Sequence, residues 1–359
     1  MERLPLRRLV SGPQPAPDRI FFTSLWFKGH NNPRYAELLP RLSRLDRYLF
    51  LASDHRVPRA LEYRAYRWSR RIRNPLLMKL GAQRYRGMFT ADPEQIPFFD
   101  GPVVADVDDP YYTQAHVDLL NHPNLAAYVV TAERAARQYE EMGVRKPFHV
   151  IPQGISFSSL RDDYLEEARR RKGDSVVVGW MAAWLLTDGD RDAEGPLYNI
   201  DHLLELWPRI HERAPNTRLW LIGGASDRVQ ERLRDRDDVV LWGRLERDRA
   251  LSTAASFDIS LYPRTEDTGI QAAKVGEFIG LGVPTVSYDY KVTENLRELD
   301  AGLLVETPDE FVDAVVELAT DEAKRRALSE STARAGRTLD WDVLAERYEE
   351  ILAAYIPPA

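Results

Sequence analysis

Lys274 and Glu277 stand three residues apart inside FDISLYPRTEDTGIQAAKVGEFIGLGVPTVSYD, residues 257–289. Three residues make roughly one helical turn, so the amine and the carboxylate share a face. An isolated pair of that kind is ordinarily a solvated ion pair. This one follows the charged loop RTEDTG, which holds Glu266, Asp267 and Gly269. Gly269 allows the backbone close to an anion, the first-turn N–H groups near Gly269 and Ile270 can bind it, and Lys274 adds a positive charge. A second group of acids, Asp106, Asp108 and Asp109, ends the valine-rich run GPVVADVDDPYY at 101–112. Such carboxylates suit a divalent ion, an acceptor or a general base, and D-D-P equally suits a helix N-cap. His116 lies in the helix that follows, as a cleft-facing acid or base or as an ordinary packed histidine. The loop Lys28, Gly29, His30, Asn31 and Asn32 is polar and flexible, with asparagines that fit either turn chemistry or ligand contacts.

The elements around these residues alternate strand and helix. FDISLYP reads as a buried strand ending at Pro263, residues 270–281 as a helix stopped by Gly282, and VPTVSYD as the next strand. That makes a βαβ unit, in which ligands sit at the carboxyl ends of the strands. RIFFTSLWF (19–27) is a strand of the continuous apolar kind that parallel sheets bury, a helix is expected over 35–44, and YLFLAS (48–53) is a second strand. The loop 28–32 therefore lies at a strand's carboxyl end. Residues 126–143 give a strand and a helix capped by Thr131, and VVVGWMAAW (176–184) restarts the pattern after a charged helix at 158–174. The final segment, 341–356, is amphipathic, with Val343, Leu344, Tyr348, Ile351 and Leu352 on one side.

The chain has 359 residues, 44% of them apolar, enough for two cores of ordinary size. No run of about eighteen apolar residues is present, and the proline-rich N-terminus lacks the apolar centre of a signal peptide. The absence of cysteine excludes disulfides and cysteine-based zinc or redox chemistry. A cytoplasmic enzyme is the expectation. The net charge of −7 is uneven, since residues 1–90 hold 19 Lys and Arg against 6 Asp and Glu. Between Arg56 and Arg86 ten basic residues face one acid, Glu62, with Tyr63, Tyr66, Trp68 and Tyr85 interleaved. The stretch is either a solvated helix face or a surface that docks on the anionic inner face of a membrane. No nucleic-acid motif accompanies it.

KVGEFIGLGVPTVSYD resembles the signature of nucleotide-sugar glycosyltransferases with the GT-B fold, in particular the large retaining family (family 4-like), and VIPQGI (150–155) resembles the VIPNGV turn of that family. The resemblance runs over roughly residues 19–356. It implies an α/β chain of two Rossmann-like domains facing each other across a cleft, with the last helix crossing back to the first domain. The expected division is a tail at 1–17, an acceptor domain at 18–157, a linker helix at 158–174, a donor domain at 175–338 and the crossover helix at 339–359. It implies sugar transfer from a nucleotide-diphosphate sugar to a carbohydrate, lipid-linked or small-molecule acceptor, with retention and without a metal or other cofactor. Glu277 would hold the ribose, and Gly282 and Pro284 match the G-x-P that follows. The helix N-terminal amides near Gly269 and Ile270, with Lys274, would hold the diphosphate, while Glu266 or Asp267 would contact the donor sugar. Arg244 would lie beside the nucleobase, and Gly29, His30, Asn31 and Asn32 would form the flexible loop near donor phosphate and acceptor. The family's earlier glutamate falls on Gly269, and the place of its diphosphate lysine reads Tyr198 before Asn199. Two alternatives stay open: a non-catalytic nucleotide-sugar-binding protein, and an epimerase on the same fold that uses Asp106, Asp108 and His116.

Overall fold

A computed structural model of the chain describes residues 15–24, 33–49, 72, 74–108, 110–190, 200–265, 273–290 and 293–358. The chain forms two compact units, Met1–Pro152 together with Trp341–Ala359, and Gln153–Asp340.

In the first unit, strands β1 (Ile20–Ser24), β2 (Leu45–Leu49), β3 (Gly87–Thr90), β4 (Val103–Val107), β5 (Leu125–Val130) and β6 (Phe148–Val150) build one parallel sheet in the order β2-β1-β3-β4-β5-β6. The apolar runs read as strands because both faces are covered. Along β1, Phe21 points into one core with Met88, Val103 and Tyr128, while Ile20 and Phe22 point into another with Phe89 and Val104. Helices α1 (Pro33–Leu38), α2 (Asn74–Gly81), α3 (Gln114–Leu120) and α4 (Glu133–Glu141) connect the strands. The last helix, Trp341–Tyr355, covers the second face with Trp341, Leu344, Tyr348, Ile351 and Leu352. Val343 is the exception to the expected stripe and is exposed. Gly87 sits where that helix ends: a Cβ there would meet Ile356 at 2.5 Å.

The helix caps differ from the sequence reading. Ala132, not Thr131, precedes α4 and makes no side-chain cap, and α3 is capped by the Thr113 hydroxyl rather than by the D-D-P acids.

The second unit opens on α5 (Asp162–Lys172). It continues through β7 (Val176–Leu185), α6 (Asp201–Arg213), β8 (Thr217–Ala225), α7 (Asp227–Leu233), β9 (Val239–Gly243), α8 (Arg247–Ala254) and β10 (Ile259–Tyr262). It closes with α9 (Ala273–Gly280), β11 (Thr285–Tyr288), α10 (Glu294–Glu298), β12 (Gly302–Val305), α11 (Pro308–Thr320) and α12 (Glu322–Gly336). The helix expected as a linker, α5, belongs to this unit, where Lys172 pairs with Asp258 at 2.7 Å. The sheet order is β12-β11-β10-β7-β8-β9, all parallel. The chain builds outward on one side from β7 and returns to β7's other edge with β10. That reversal is a topological switch point, the place where open α/β sheets leave a crevice at their carboxyl ends.

The small residues of α9 do what their size allows. A Cβ at Gly276 would lie 2.8 Å from the Gln153 carbonyl, and one at Gly280 would lie 2.3 Å from Ile155. Gly282 ends the helix at φ +71°, a conformation open to glycine without penalty.

Candidate functional site

The switch point of the second unit is lined by β7, β10 and α9. Trp180 on β7 and Tyr262 at the end of β10 have ring centroids 5.8 Å apart. Two cations lie on these rings. The Lys274 amine is 4.7 Å from the Trp180 centroid, and the Arg264 guanidinium is 5.1 Å from that of Tyr262. Burial, then the charge of Arg264, pushes the Lys274 amine down to about 7, with Glu277 acting the other way. A lysine in that range changes its charge in response to a nearby anion.

Glu277 lies one turn along α9 and is 6% exposed. It pairs with Arg247, the first residue of α8, whose Nη1 donates to Glu277 Oε1 at 2.8 Å. The K-x-x-E spacing thus brings Lys274 and Glu277 to one site without making them a hydrogen-bonded pair. Arg244, three residues before Arg247, is exposed and stacks over Trp184, 5.6 Å from its centroid. Trp184 is itself 45% exposed, and its ring crosses the face of Gly224, where a Cβ would meet it at 2.8 Å. Arg244, Trp184 and Gly224 therefore cluster at the carboxyl ends of β7, β8 and β9.

Three residues of this site carry little sequence signal. Trp180 reads as one more apolar strand residue. Arg264 reads as a loop charge. Arg247 does leave a trace, because a cation in the first turn of a helix opposes the macrodipole and calls for a compensating partner.

The acids of the first unit are placed differently from the expectation. Asp106 is fully buried at the end of β4 and pairs with the buried Arg34, Nε to Oδ2 at 2.9 Å and Nη2 to Oδ1 at 3.3 Å. The Tyr348 hydroxyl also donates to Asp106 Oδ2, at 2.9 Å. Both carboxylate oxygens are engaged, so Asp106 is a structural counter-ion and not an available base or acceptor ligand. Asp108 is 7% exposed and accepts from the Tyr35 hydroxyl at 3.0 Å. His116 on α3 is half-buried, its Nδ1 3.4 Å from the Tyr139 hydroxyl and its ring edge-on to Tyr111. Of the three residues an epimerase would use, Asp106 is held in an ion pair, while Asp108 and His116 each hydrogen-bond a tyrosine hydroxyl. Among the described residues, no three His, Asp or Glu side chains gather to hold a metal ion. Gly29, His30, Asn31, Asn32, Glu266, Asp267, Gly269 and Ile270 lie outside the described residues.

Comparison with known proteins fits this geometry. Residues 191–321 match the family model of glycosyl transferases group 1. The chain is 27% identical over 211 residues to glycosyltransferase 1 domain-containing protein 1 of Xenopus tropicalis. That match covers 57% of this chain and 59% of the relative's length, so the chain spans less than two thirds of it. Among solved structures, Anabaena Alr3699/HepE in complex with UDP superposes with a TM-score of 0.69 at 15% identity, over 94% of this chain and 100% of that one. WaaG, a glycosyltransferase involved in lipopolysaccharide biosynthesis, gives 0.62 at 14% identity, over 92% and 99%. The chain has the GT-B fold, and its residues 191–321 resemble the glycosyl transferases group 1 family.

Proposed function

We propose that the second unit binds a uridine-diphosphate sugar and that the protein transfers the sugar to an acceptor with retention, without a metal ion. The observation that carries this reading is the gathering of Lys274, Arg264 and Glu277 at the β7–β10 switch point of a fold shared with UDP complexes. Breaking the anomeric C–O bond leaves negative charge on the diphosphate. Lys274 and Arg264 offset it in place of the missing family lysine, together with the amides near Gly269 and Ile270. Glu277 receives the ribose hydroxyls, and Arg244 with Trp184 flanks the base. Glu266 or Asp267 contacts the donor sugar, and Gly29, His30, Asn31 and Asn32 face phosphate and acceptor. The direct test is release of UDP from UDP-glucose and related donors, with and without EDTA. Turnover unchanged by EDTA supports the reading, turnover abolished by EDTA removes its metal independence, and no turnover with any UDP-sugar removes the activity.

The state of Lys274 makes affinity pH-dependent. In the free protein the amine loses its proton near pH 7, and a bound diphosphate raises that value. Between the two, binding takes up a proton, so affinity falls as pH rises, by at most about tenfold per pH unit. Titration calorimetry with UDP from pH 6 to 9 should show that fall, with proton uptake in buffers of different ionisation enthalpy. Lys274→Arg, charged throughout, should flatten it.

An acceptor at a lipid surface is the reading favoured by the first unit. Leu76 and Leu80 on α2 lie one turn apart at 55% and 56% exposure, and Ile72 just before them is 57% exposed. Residues 56–71 and 73 of the basic stretch lie outside the described residues; in sequence the stretch carries ten basic residues, and basic charge together with these exposed apolar side chains suits an anionic bilayer. No described helix is long and apolar enough to cross a membrane. Vesicles with phosphatidylglycerol should retain the protein. Leu76→Asp with Leu80→Asp should weaken that retention by about a hundredfold, two buried leucines at about 1.5 kcal/mol each, while UDP binding stays unchanged. Equal retention on neutral vesicles would contradict it.

A further inference from the structure

We infer that Arg247 is a positioning residue that sets the sugar specificity of the nucleotide, making the site select a ribonucleotide over a deoxyribonucleotide through Glu277. The inference rests on the reading of Glu277 as the ribose acceptor. The Glu277 side chain is 8% exposed and the Arg247 side chain 34% exposed, with Nε and Nη2 of the guanidinium buried, so the charged ends of the pair are largely enclosed. Arg247 fixes Oε1 at 2.8 Å. With one oxygen held, the carboxylate plane is set, and the other lone pairs of the group are aimed in a fixed direction.

The local sequence keeps the pair in place. Arg247 stands on the first position of α8, which directly follows the turn after Gly243, and Gly243 adopts φ +69°. Leu251, Ser252, Thr253 and Ala254 bury the inner face of that helix. Glu277 lies on α9, whose Val275, Phe278 and Ile279 are fully buried. Two rigid helices therefore present the ion pair, and neither end is on a loop. A carboxylate aligned in this way accepts from two vicinal hydroxyls and loses half of that contact when the 2′-hydroxyl is absent. A carboxylate free to rotate would readjust to a single hydroxyl and discriminate less.

The test is calorimetric binding of UDP and of 2′-deoxyuridine diphosphate to the wild-type protein, Arg247→Ala, Arg247→Lys and Glu277→Gln. Wild type should prefer UDP by about tenfold or more, the scale of one charge-assisted hydrogen bond. Arg247→Ala should lose about tenfold in UDP affinity and bring the ratio of the two nucleotides towards one. Arg247→Lys should restore part of the ratio, because it returns a charge without the planar fork. A melting temperature for each variant, together with its affinity for inorganic pyrophosphate, separates loss of fold from loss of alignment. An unchanged UDP to deoxy-UDP ratio in a folded Arg247→Ala overturns the inference, as does tighter UDP binding, which would mean that Arg247 competes with ribose. Failure of the wild-type protein to bind any nucleotide would instead remove the reading on which it rests.

Discussion

Replacing Arg34 by alanine is expected to destabilise the first unit by about 3–5 kcal/mol, the range found when one partner of a buried ion pair is removed. The side chain is fully buried, as is the Asp106 carboxylate it faces. Every nitrogen of its guanidinium has a partner. Besides Asp106, the side chain donates from Nη1 to the Pro152 carbonyl at 3.0 Å, from Nη2 to the Ile151 carbonyl at 2.9 Å, and from Nη2 to the Tyr348 hydroxyl. The rings of Trp341 and Tyr348 each lie 5.6 Å from the guanidinium carbon. Burial opposes the positive charge, yet Asp106, with Tyr348 and Tyr35, together outweighs it and holds the guanidinium above its ordinary value. Arg34 thereby joins α1 and the end of β4 to the residues after β6 and to the last helix. Alanine would leave the buried Asp106 carboxyl without its cation, next to the Tyr348 hydroxyl. Lysine should rescue little, since one ammonium cannot reach a carboxylate, two carbonyls and a phenol together. Denaturant unfolding followed by tryptophan fluorescence checks this, and a loss below about 1 kcal/mol, the scale of a surface pair, would contradict the structural role.

The second large effect is expected at Glu277. Glu277→Ala should weaken UDP binding by about 10- to 100-fold, the worth of one or two charge-assisted hydrogen bonds. Folding should suffer less than at Arg34, because the Arg247 side chain is 34% exposed, whereas both partners of the Arg34–Asp106 pair are fully buried. Glu350→Ala, an exposed position on the last helix, serves as the control and should leave affinity unchanged. Equal effects at both positions would remove Glu277 from the site.

The two effects mark what the sequence does and does not disclose. Buried parallel strands are legible as apolar runs, because solvation of either face would demand alternation; β1, β4 and β10 follow from that alone. The spacing of Lys274 and Glu277 was legible because a helical period fixes which side chains share a face. Their partners were not, since Arg247 lies 30 residues from Glu277 and Trp180 stands on a different strand, β7, far earlier in the chain. Asp106 shows the same limit in the other direction. A carboxylate at a strand end has one appearance in sequence whether it faces ligand or core, and the residue that decides, Arg34, stands 72 positions away in a polar stretch. Val343 lies off the buried stripe because the helical period puts Trp341, Leu344, Tyr348 and Leu352 on one face and turns position 343 away from it, to solvent.

The central claim is that the second unit holds a uridine nucleotide through the groups at the β7–β10 switch point. The most direct measurement is the melting temperature of the full chain against UDP, GDP, ADP, TDP and their common sugar conjugates, without and with magnesium. A ligand at a hundred times its Kd stabilises the folded state by about 2.7 kcal/mol, enough to read as a shift of a few degrees. UDP and UDP-sugars should raise the melting temperature more than the other nucleotides, equally with and without magnesium, and the shift should shrink in Glu277→Ala. No shift with any nucleotide, or a shift indifferent to Glu277, would contradict the claim.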